Sequence, residues 1–210
     1  MKQEDMDAIY RSMPSEDIPW NIEEPPEALV ALVEGGIVQP CKAIDLGSGT
    51  GNYAVYLAGK GFDVTGVDVS PTAIEIAREY SKKKGVKCDF IVADVLGGLE
   101  DLKGSFDFAY DWALLHHLFP EKRKQYVENV HGKLNTKGQY LSLCFSEDDP
   151  QFGGSGKYRK TPLGTTLYFS SEDELNVLFS SYFTIEELKT IEISGKFGPH
   201  RAIYAFMQRK

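Results

Sequence analysis

The segment Ala43-Ile-Asp-Leu-Gly-Ser-Gly-Thr-Gly51 carries a short apolar run into three glycines, Gly47, Gly49 and Gly51. A strand ending in such a turn, with a helix following over 52–60, lets backbone pass close to a ligand and leaves helix N–H groups to face it. The spacing is GxGxG, where a dinucleotide fold uses GxGxxG and a P-loop ends in GK[ST]. Seventeen residues after Gly51 a second apolar run closes on Val67-Asp68, where a carboxylate can accept both hydroxyls of a ribose. A third run ends in Ala93-Asp94-Val95 and a fourth in Tyr110-Asp111-Trp112. Asp45, Asp68, Asp94 and Asp111 therefore stand at the carboxyl ends of four successive strands. That edge of an open α/β sheet is where ligands bind.

The elements that must hold these residues are marked by the alternation of short apolar runs with longer amphipathic ones, the pattern of a parallel sheet wound with helices. Strands are predicted at 43–46, 62–68, 88–93, 106–111 and 140–145, and two more at 185–193 and 201–208. The last two are joined only by SGKFGP, too short for a crossover helix, so they predict an antiparallel hairpin. Ser70-Pro71 reads as an N-cap followed by proline in the first turn. That helix ends in Lys82-Lys83-Lys84-Gly85, with cations at the negative end of its dipole. Ser171 and Glu174 have capping-box spacing. Pro120 opens a helix that buries Tyr126, Val127, Val130 and Leu134. Residues 1–40 have no strand partner and are expected to cover one end of the sheet as helices. Residues 146–168 form a long Gly-rich connection, expected to act as a lid.

The glycine loop, GVDVS and IVADV together resemble the class I S-adenosylmethionine-dependent methyltransferases, over about residues 40–145. That resemblance implies a seven-stranded Rossmann-like α/β sheet of order 3-2-1-4-5-7-6 with strand 7 antiparallel, and S-adenosyl-L-methionine as cofactor. It also implies that Asp45, Gly47, Ser48, Gly49 and Gly51 line the cofactor site. Asp68 would hold the ribose, Val69 pack on the adenine, and Asp94 with the Val95 backbone read the adenine edge. Asp111 would sit near the methionine moiety. A narrower likeness lies in Ile18-Pro-Trp-Asn-Ile-Glu-Glu-Pro-Pro26 and Pro199-His-Arg-Ala-Ile-Tyr-Ala-Phe206, which are similar to segments of the thiopurine, thiol and halide methyltransferases. Asn21 stands where that group has aspartate, and Glu23 where it has glycine.

In the implied sheet order the closing hairpin turns at the carboxyl edge, which delivers His200 and Arg201 beside the acceptor. There Arg201 can steer an anion and His200 can accept a proton. His117 follows the fourth strand and offers either a second base or a buried, satisfied histidine. Adjacent His116 and His117 point different ways and make a poor metal pair, so no metal is expected. Trp20 either stacks on a sulfonium through a cation–π contact or pins the N-terminal segment as a staple. Lys157-Tyr-Arg-Lys160 reads as a solvated loop or as a seat for an anionic substrate.

The 210 residues suit one domain: a cover over 1–40, a cofactor core over 41–145, and a lid loop with a substrate-side hairpin over 146–210. With the chain spent on the core, no recognition domain is left, and the expected partner is a small-molecule methyl acceptor, a thiol or other soft nucleophile. Other readings are an RNA or protein methyltransferase, or a non-catalytic S-adenosylmethionine-binding protein. Lys plus Arg is 23 against 31 Asp plus Glu, a net charge of −8, which counts against nucleic acid. The [DN]PPY signature of adenine methylation is absent, Asp111-Trp-Ala-Leu standing in its place. No apolar run approaches a bilayer span, and the acidic start lacks a signal-peptide pattern. Cys41, Cys88 and Cys144 form no CxxC pair and read as reduced thiols of a cytoplasmic protein.

Overall fold

The computed structural model describes residues 3–97, 99 and 102–210. Its elements are α1 (Gln3–Ser12), α2 (Glu27–Glu34), β1 (Lys42–Leu46), α3 (Asn52–Gly59), β2 (Asp63–Asp68), α4 (Pro71–Lys84), β3 (Cys88–Val92), β4 (Phe106–Trp112), α5 (Pro120–Lys133), β5 (Leu134–Phe145), β6 (Tyr158–Lys160), β7 (Thr166–Tyr168), α6 (Glu172–Ser180), β8 (Phe183–Ile193) and β9 (His200–Arg209). The main sheet has seven strands in the order β3-β2-β1-β4-β5-β9-β8, and β6-β7 form a separate pair. β9 runs antiparallel to both β5 and β8, while the other pairings of the main sheet are parallel. Setting the small pair aside, this is the expected 3-2-1-4-5-7-6 sheet.

The strands near the middle of the sheet are buried on both faces, so they read as apolar runs broken at their ends by acids. One face packs Ile44, Ala109 and Tyr140 against Tyr126, Val127 and Val130 of α5 and Leu175 and Phe179 of α6. The other packs Ala43, Phe108 and Leu141 against Leu29 and Leu32 of α2, Ala54 and Leu57 of α3, and Ile74 and Ala77 of α4. Each of these larger side chains contributes roughly 1.5–3 kcal/mol by leaving water. The three cysteines are free thiols. Among the described residues no helix is long and apolar enough to cross a membrane.

The capping signals act as their residue types require. Ser70 Oγ accepts from the Ala73 N–H, and Gly85 closes α4 in the left-handed region at φ 69°. Ser171 and Glu174 form a reciprocal capping box at α6. Strand β5 starts at Leu134 rather than at residue 140, because α5 runs straight into it and its first half pairs outside the apolar run.

The 146–168 connection departs from the expected open loop. Its second half folds into β6 and β7, and Arg159 on β6 is buried, 3% exposed. Its guanidinium donates to the carbonyls of Glu147, Asp149 and Gln151, and Nε donates to Gly156. Lys157 pairs with Glu147 and Glu174. Arg159 is therefore a structural pin in this segment, and of the four residues of the basic run Lys160 lines the main cavity.

Candidate functional site

A cavity of about 1370 Å³ opens at the carboxyl edge of the sheet, running from the glycine loop to the turn between β8 and β9. Small-molecule pockets are typically ~300–1,000 Å³, so this volume has room for a cofactor and an acceptor side by side.

At its floor the glycine loop is held rigidly. The Gly47 and Ser48 N–H groups both donate to the Val67 carbonyl, at 2.8 and 2.9 Å, and the Gly49 N–H donates to Asp68 Oδ2 at 2.9 Å. These three amides are thus spent within the protein, whereas two side chains beside them are not. Asp45 Oδ2 and Ser48 Oγ are buried, line the cavity and among the described residues have no hydrogen-bond partner. Burial pushes the Asp45 carboxyl up to about 7, with Asp68 and Asp111 adding repulsion. Gly51 lies behind the loop rather than on the cavity. A Cβ there would sit 2.7 Å from the Phe90 ring and 2.9 Å from Ala77, and its φ is 80°, so no other residue fits.

Asp68 is 8% exposed. Its Oδ1 accepts from the Ser70 N–H at 2.9 Å while Oδ2 holds Gly49, and the Val69 amide adds to this backbone cradle. Burial raises its pKa against these amides. Val69, Asp94 and Val95 line the same end, with Asp94 Oδ1 accepting from the Leu96 N–H.

Asp111 is elsewhere. It is fully buried on the α5 side of the sheet and accepts from Tyr126 and Tyr140 hydroxyls, off the cavity wall. Alternation along β4 explains the displacement from the expected place: successive side chains leave opposite faces, and Asp111 points into the core.

The roof comes from distant parts of the chain. Trp20 Nε1 donates to the Tyr10 hydroxyl at 2.8 Å, and the indole packs edge-on against Tyr10 and His117. Trp20 thus pins the N-terminal segment and also lines the cavity. Asn21 Oδ1 accepts from Thr50 Oγ1 and Asn52 Nδ2, both at 2.6 Å, and its own Nδ2 donates to the Ser15 carbonyl. An aspartate would lose that last donor, which gives the Asn21 departure a physical reason. From the other side Lys196 Nζ reaches the Glu16 and Ile18 carbonyls.

Three histidines line the cavity. His116 stacks on Phe145 at 4.2 Å and its Nδ1 accepts from the Phe145 N–H. His117 is half-buried, desolvation pushes its pKa down to about 4, and among the described residues its Nδ1 has no partner. His200 sits at the start of β9, at the glycine-loop edge as expected, with Nδ1 3.0 Å from Asp149 Oδ2. The neighbouring Arg201 side chain is exposed and off the cavity wall, whereas its backbone N–H donates to Asp149. A strand cannot present two successive side chains to one pocket.

Sequence reasoning missed Tyr10 and Asp149. Tyr10 was discoverable, since Met6, Tyr10 and Met13 form an apolar stripe at helical spacing on an acidic helix. Asp149 carries no such signal. Among the described residues no group of three or more His, Cys, Asp or Glu could hold a metal ion.

The chain carries a methyltransferase domain on a Rossmann-like sheet, as fold and sequence comparison agree. Residues 43–138 match the family described as Methyltransferase domain. The chain is 28% identical over 193 residues to the 2-heptyl-1-hydroxyquinolin-4(1H)-one methyltransferase of Mycobacteroides abscessus, covering 89% of this chain and 79% of that one. It is 26% identical over 167 residues to a probable thiol methyltransferase 2 of Arabidopsis thaliana, covering 76% and 74%. Among solved structures, one reported for the conversion of a disulfide bond into a thioacetal group during echinomycin biosynthesis superposes with TM-score 0.84. It is 28% identical, and the match covers 100% of this chain and 93% of that one.

Proposed function

We propose that this enzyme transfers a methyl group from S-adenosylmethionine to a small, largely apolar acceptor bearing a soft nucleophile, a thiol foremost. The observation that carries this is the continuity of the cavity past the glycine loop into a chamber bounded by Trp20, His117, Phe145 and Phe152. A filled pocket would have favoured a non-catalytic binding protein. An aromatic chamber roofed on both sides suits a small flat molecule better than a nucleic acid or a protein segment, and the net charge of −8 supports the same choice. The thiol preference draws on the Pro19-Trp20 segment, on the thiol methyltransferase relative, and on a structural neighbour reported for disulfide chemistry.

In this reading Asp68 holds the ribose diol and Val69 and Val95 flank the adenine, with Asp94 at its edge. Asp45 and Ser48 meet the amino-acid end, where the unpartnered Asp45 Oδ2 suits an ammonium group. Bound S-adenosylmethionine supplies an electrophilic methyl carbon on a sulfonium. The chain's own contribution is alignment and exclusion of water, which by analogy with intramolecular reactions supplies roughly 7–11 kcal/mol. Trp20 faces the cation, and His117 Nδ1 is free to hydrogen-bond the acceptor. We read residues 1–210 as one domain built around this reaction, inside the cytoplasm. A panel of thiols, hydroxyquinolones, phenols, short peptides and transfer RNA, assayed for S-adenosylhomocysteine release, tests it. Turnover confined to the small molecules is expected, and turnover confined to peptide or RNA would overturn the acceptor assignment.

A further inference from the structure

His200 differs from the other histidines of the cavity in what stands behind it. Asp149 is 1% exposed, and its carboxylate is fully engaged as an acceptor. Oδ1 accepts from the Gln151 N–H at 2.6 Å, and Oδ2 accepts from the Arg201 N–H at 2.8 Å and from His200 Nδ1 at 3.0 Å. A carboxylate already holding two backbone donors can only accept from the imidazole, which assigns the proton to Nδ1 and leaves the lone pair on Nε2. Arg159 donates to the Asp149 carbonyl and fixes the residue from the other side.

The imidazole also packs against two aromatic rings. It stacks on Phe145 at 4.4 Å and on Phe152 at 5.7 Å. At its open edge lies Gly195, where any Cβ would come within 2.7 Å of His200 Cδ2 and 3.1 Å of Nε2. Absence of a side chain there keeps Nε2 clear, and among the described residues nothing hydrogen-bonds it. His117 has no carboxylate behind it, and His116 spends Nδ1 on the Phe145 amide.

From this geometry we propose that His200 is the base of the reaction and that Asp149 is its positioning residue, holding Nε2 toward the proton of the methyl acceptor. The proposal rests on the methyl-transfer reading above. The acceptor X–H gives its proton to Nε2 as X bonds the methyl carbon. The carbon–sulfonium bond breaks with both electrons going to sulfur, which leaves S-adenosylhomocysteine, and the imidazolium returns its proton to water. An alkyl thiol, with an unperturbed pKa of about 8.5, is mostly protonated at neutral pH and needs this step; an acidic aromatic thiol does not. The charged or titratable groups around His200 are Asp149 in the loop, His116 after β4, Arg159 on β6, Lys196 in the turn, and Arg201 with its strand partner Glu192. Asp149 is the carboxylate among them that reaches the ring.

The test compares wild type, His200→Gln and Asp149→Asn with S-adenosylmethionine, using 2-mercaptoethanol and a phenol as un-ionised acceptors and thiophenol as an ionised one. His200→Gln should lose roughly 100-fold in kcat on the un-ionised pair and little on thiophenol, within the usual range for general base catalysis, with cofactor binding retained. Asp149→Asn should move the acid limb of kcat/KM to lower pH, because the neutral amide no longer stabilises the imidazolium. Nitrogen-15 NMR of the S-adenosylhomocysteine complex should show His200 in the Nδ1–H tautomer and its titration lowered by Asp149→Asn. An Nε2–H tautomer, an unmoved titration, or equal losses on all acceptors would overturn the proposal. A wild-type protein that binds S-adenosylhomocysteine yet methylates nothing would instead count against the methyl-transfer reading, and the NMR result judges the Asp149–His200 pair without turnover.

Discussion

The Gly49 N–H and Asp68 Oδ2 are hydrogen-bonded at 2.9 Å, so the glycine loop and the acid of β2 are one unit rather than two separate motifs. With the Ser70 N–H on Oδ1, Asp68 shapes the floor before any ligand arrives. Substitution at Asp68 therefore acts on folding as well as on binding. Asp68→Ala should strand two buried amides, lowering stability by roughly 1–3 kcal/mol, in addition to weakening the cofactor. Asp68→Asn keeps an acceptor and is the cleaner probe. Because charge-assisted bonds are worth about 1.5–3 kcal/mol each, it should weaken S-adenosylhomocysteine binding at least tenfold by calorimetry, with a smaller loss in Tm.

Asp45 should make cofactor affinity depend on pH. Its carboxyl is held near 7 by burial in the free protein, and an ammonium group opposite Oδ2 would draw it down. A ligand that favours the ionised form binds more tightly as pH rises through the free value. Affinity for S-adenosylhomocysteine should thus increase from pH 6 to about pH 7.5 and then level off, with proton release on binding at the acid end. Calorimetry in buffers of different ionisation enthalpy checks this, and Asp45→Asn should abolish the dependence.

Asn21 ties the Pro19-Trp20 segment to Thr50 and Asn52 at the start of α3. Removing the amide in Asn21→Ala should speed cofactor release several-fold, seen by stopped-flow fluorescence of Trp20, while the Tm changes little because the sheet is untouched. Asn21→Asp retains both accepted bonds and should lie between the two.

Glu174 governs the acid stability of the anchor of the 146–168 segment. Burial alone would raise its pKa, but Lys157, the Ser171 N–H and the Tyr168 hydroxyl hold it at about 2, below the ordinary 4.5. A carboxylate depressed in the folded state stabilises above its unfolded pKa and loses that contribution as pH falls through the folded one. Thermal melts of wild type should therefore decline between about pH 4.5 and pH 2 more steeply than those of Glu174→Gln.

Much of this architecture was legible because it rests on local physics. Apolar runs stopped by acids located β1 to β4, proline and glycine punctuation located α4, and the short SGKFGP link made β8 and β9 a hairpin whose turn had to lie at the cofactor edge. Asp111 was misplaced because strand alternation decides which face a strand-end acid takes, and composition does not report it. Arg201 failed for the same reason next to His200. Arg159 and Asp149 were illegible in another sense. Their partners are backbone carbonyls, amides and a histidine 51 residues away, and nothing local marks those pairings.

The roof over the cavity has a further consequence. It is fastened by a few polar contacts, Asn21 to Thr50 and Asn52, Trp20 to Tyr10, and Lys196 to two carbonyls, whereas the sheet beneath it is fastened by two apolar cores. Urea should therefore dissolve the enzyme's function before its structure. Activity should fade at denaturant concentrations where far-ultraviolet circular dichroism is still native, and amide exchange in residues 15–22 and 194–199 should quicken there without a change in the central strands.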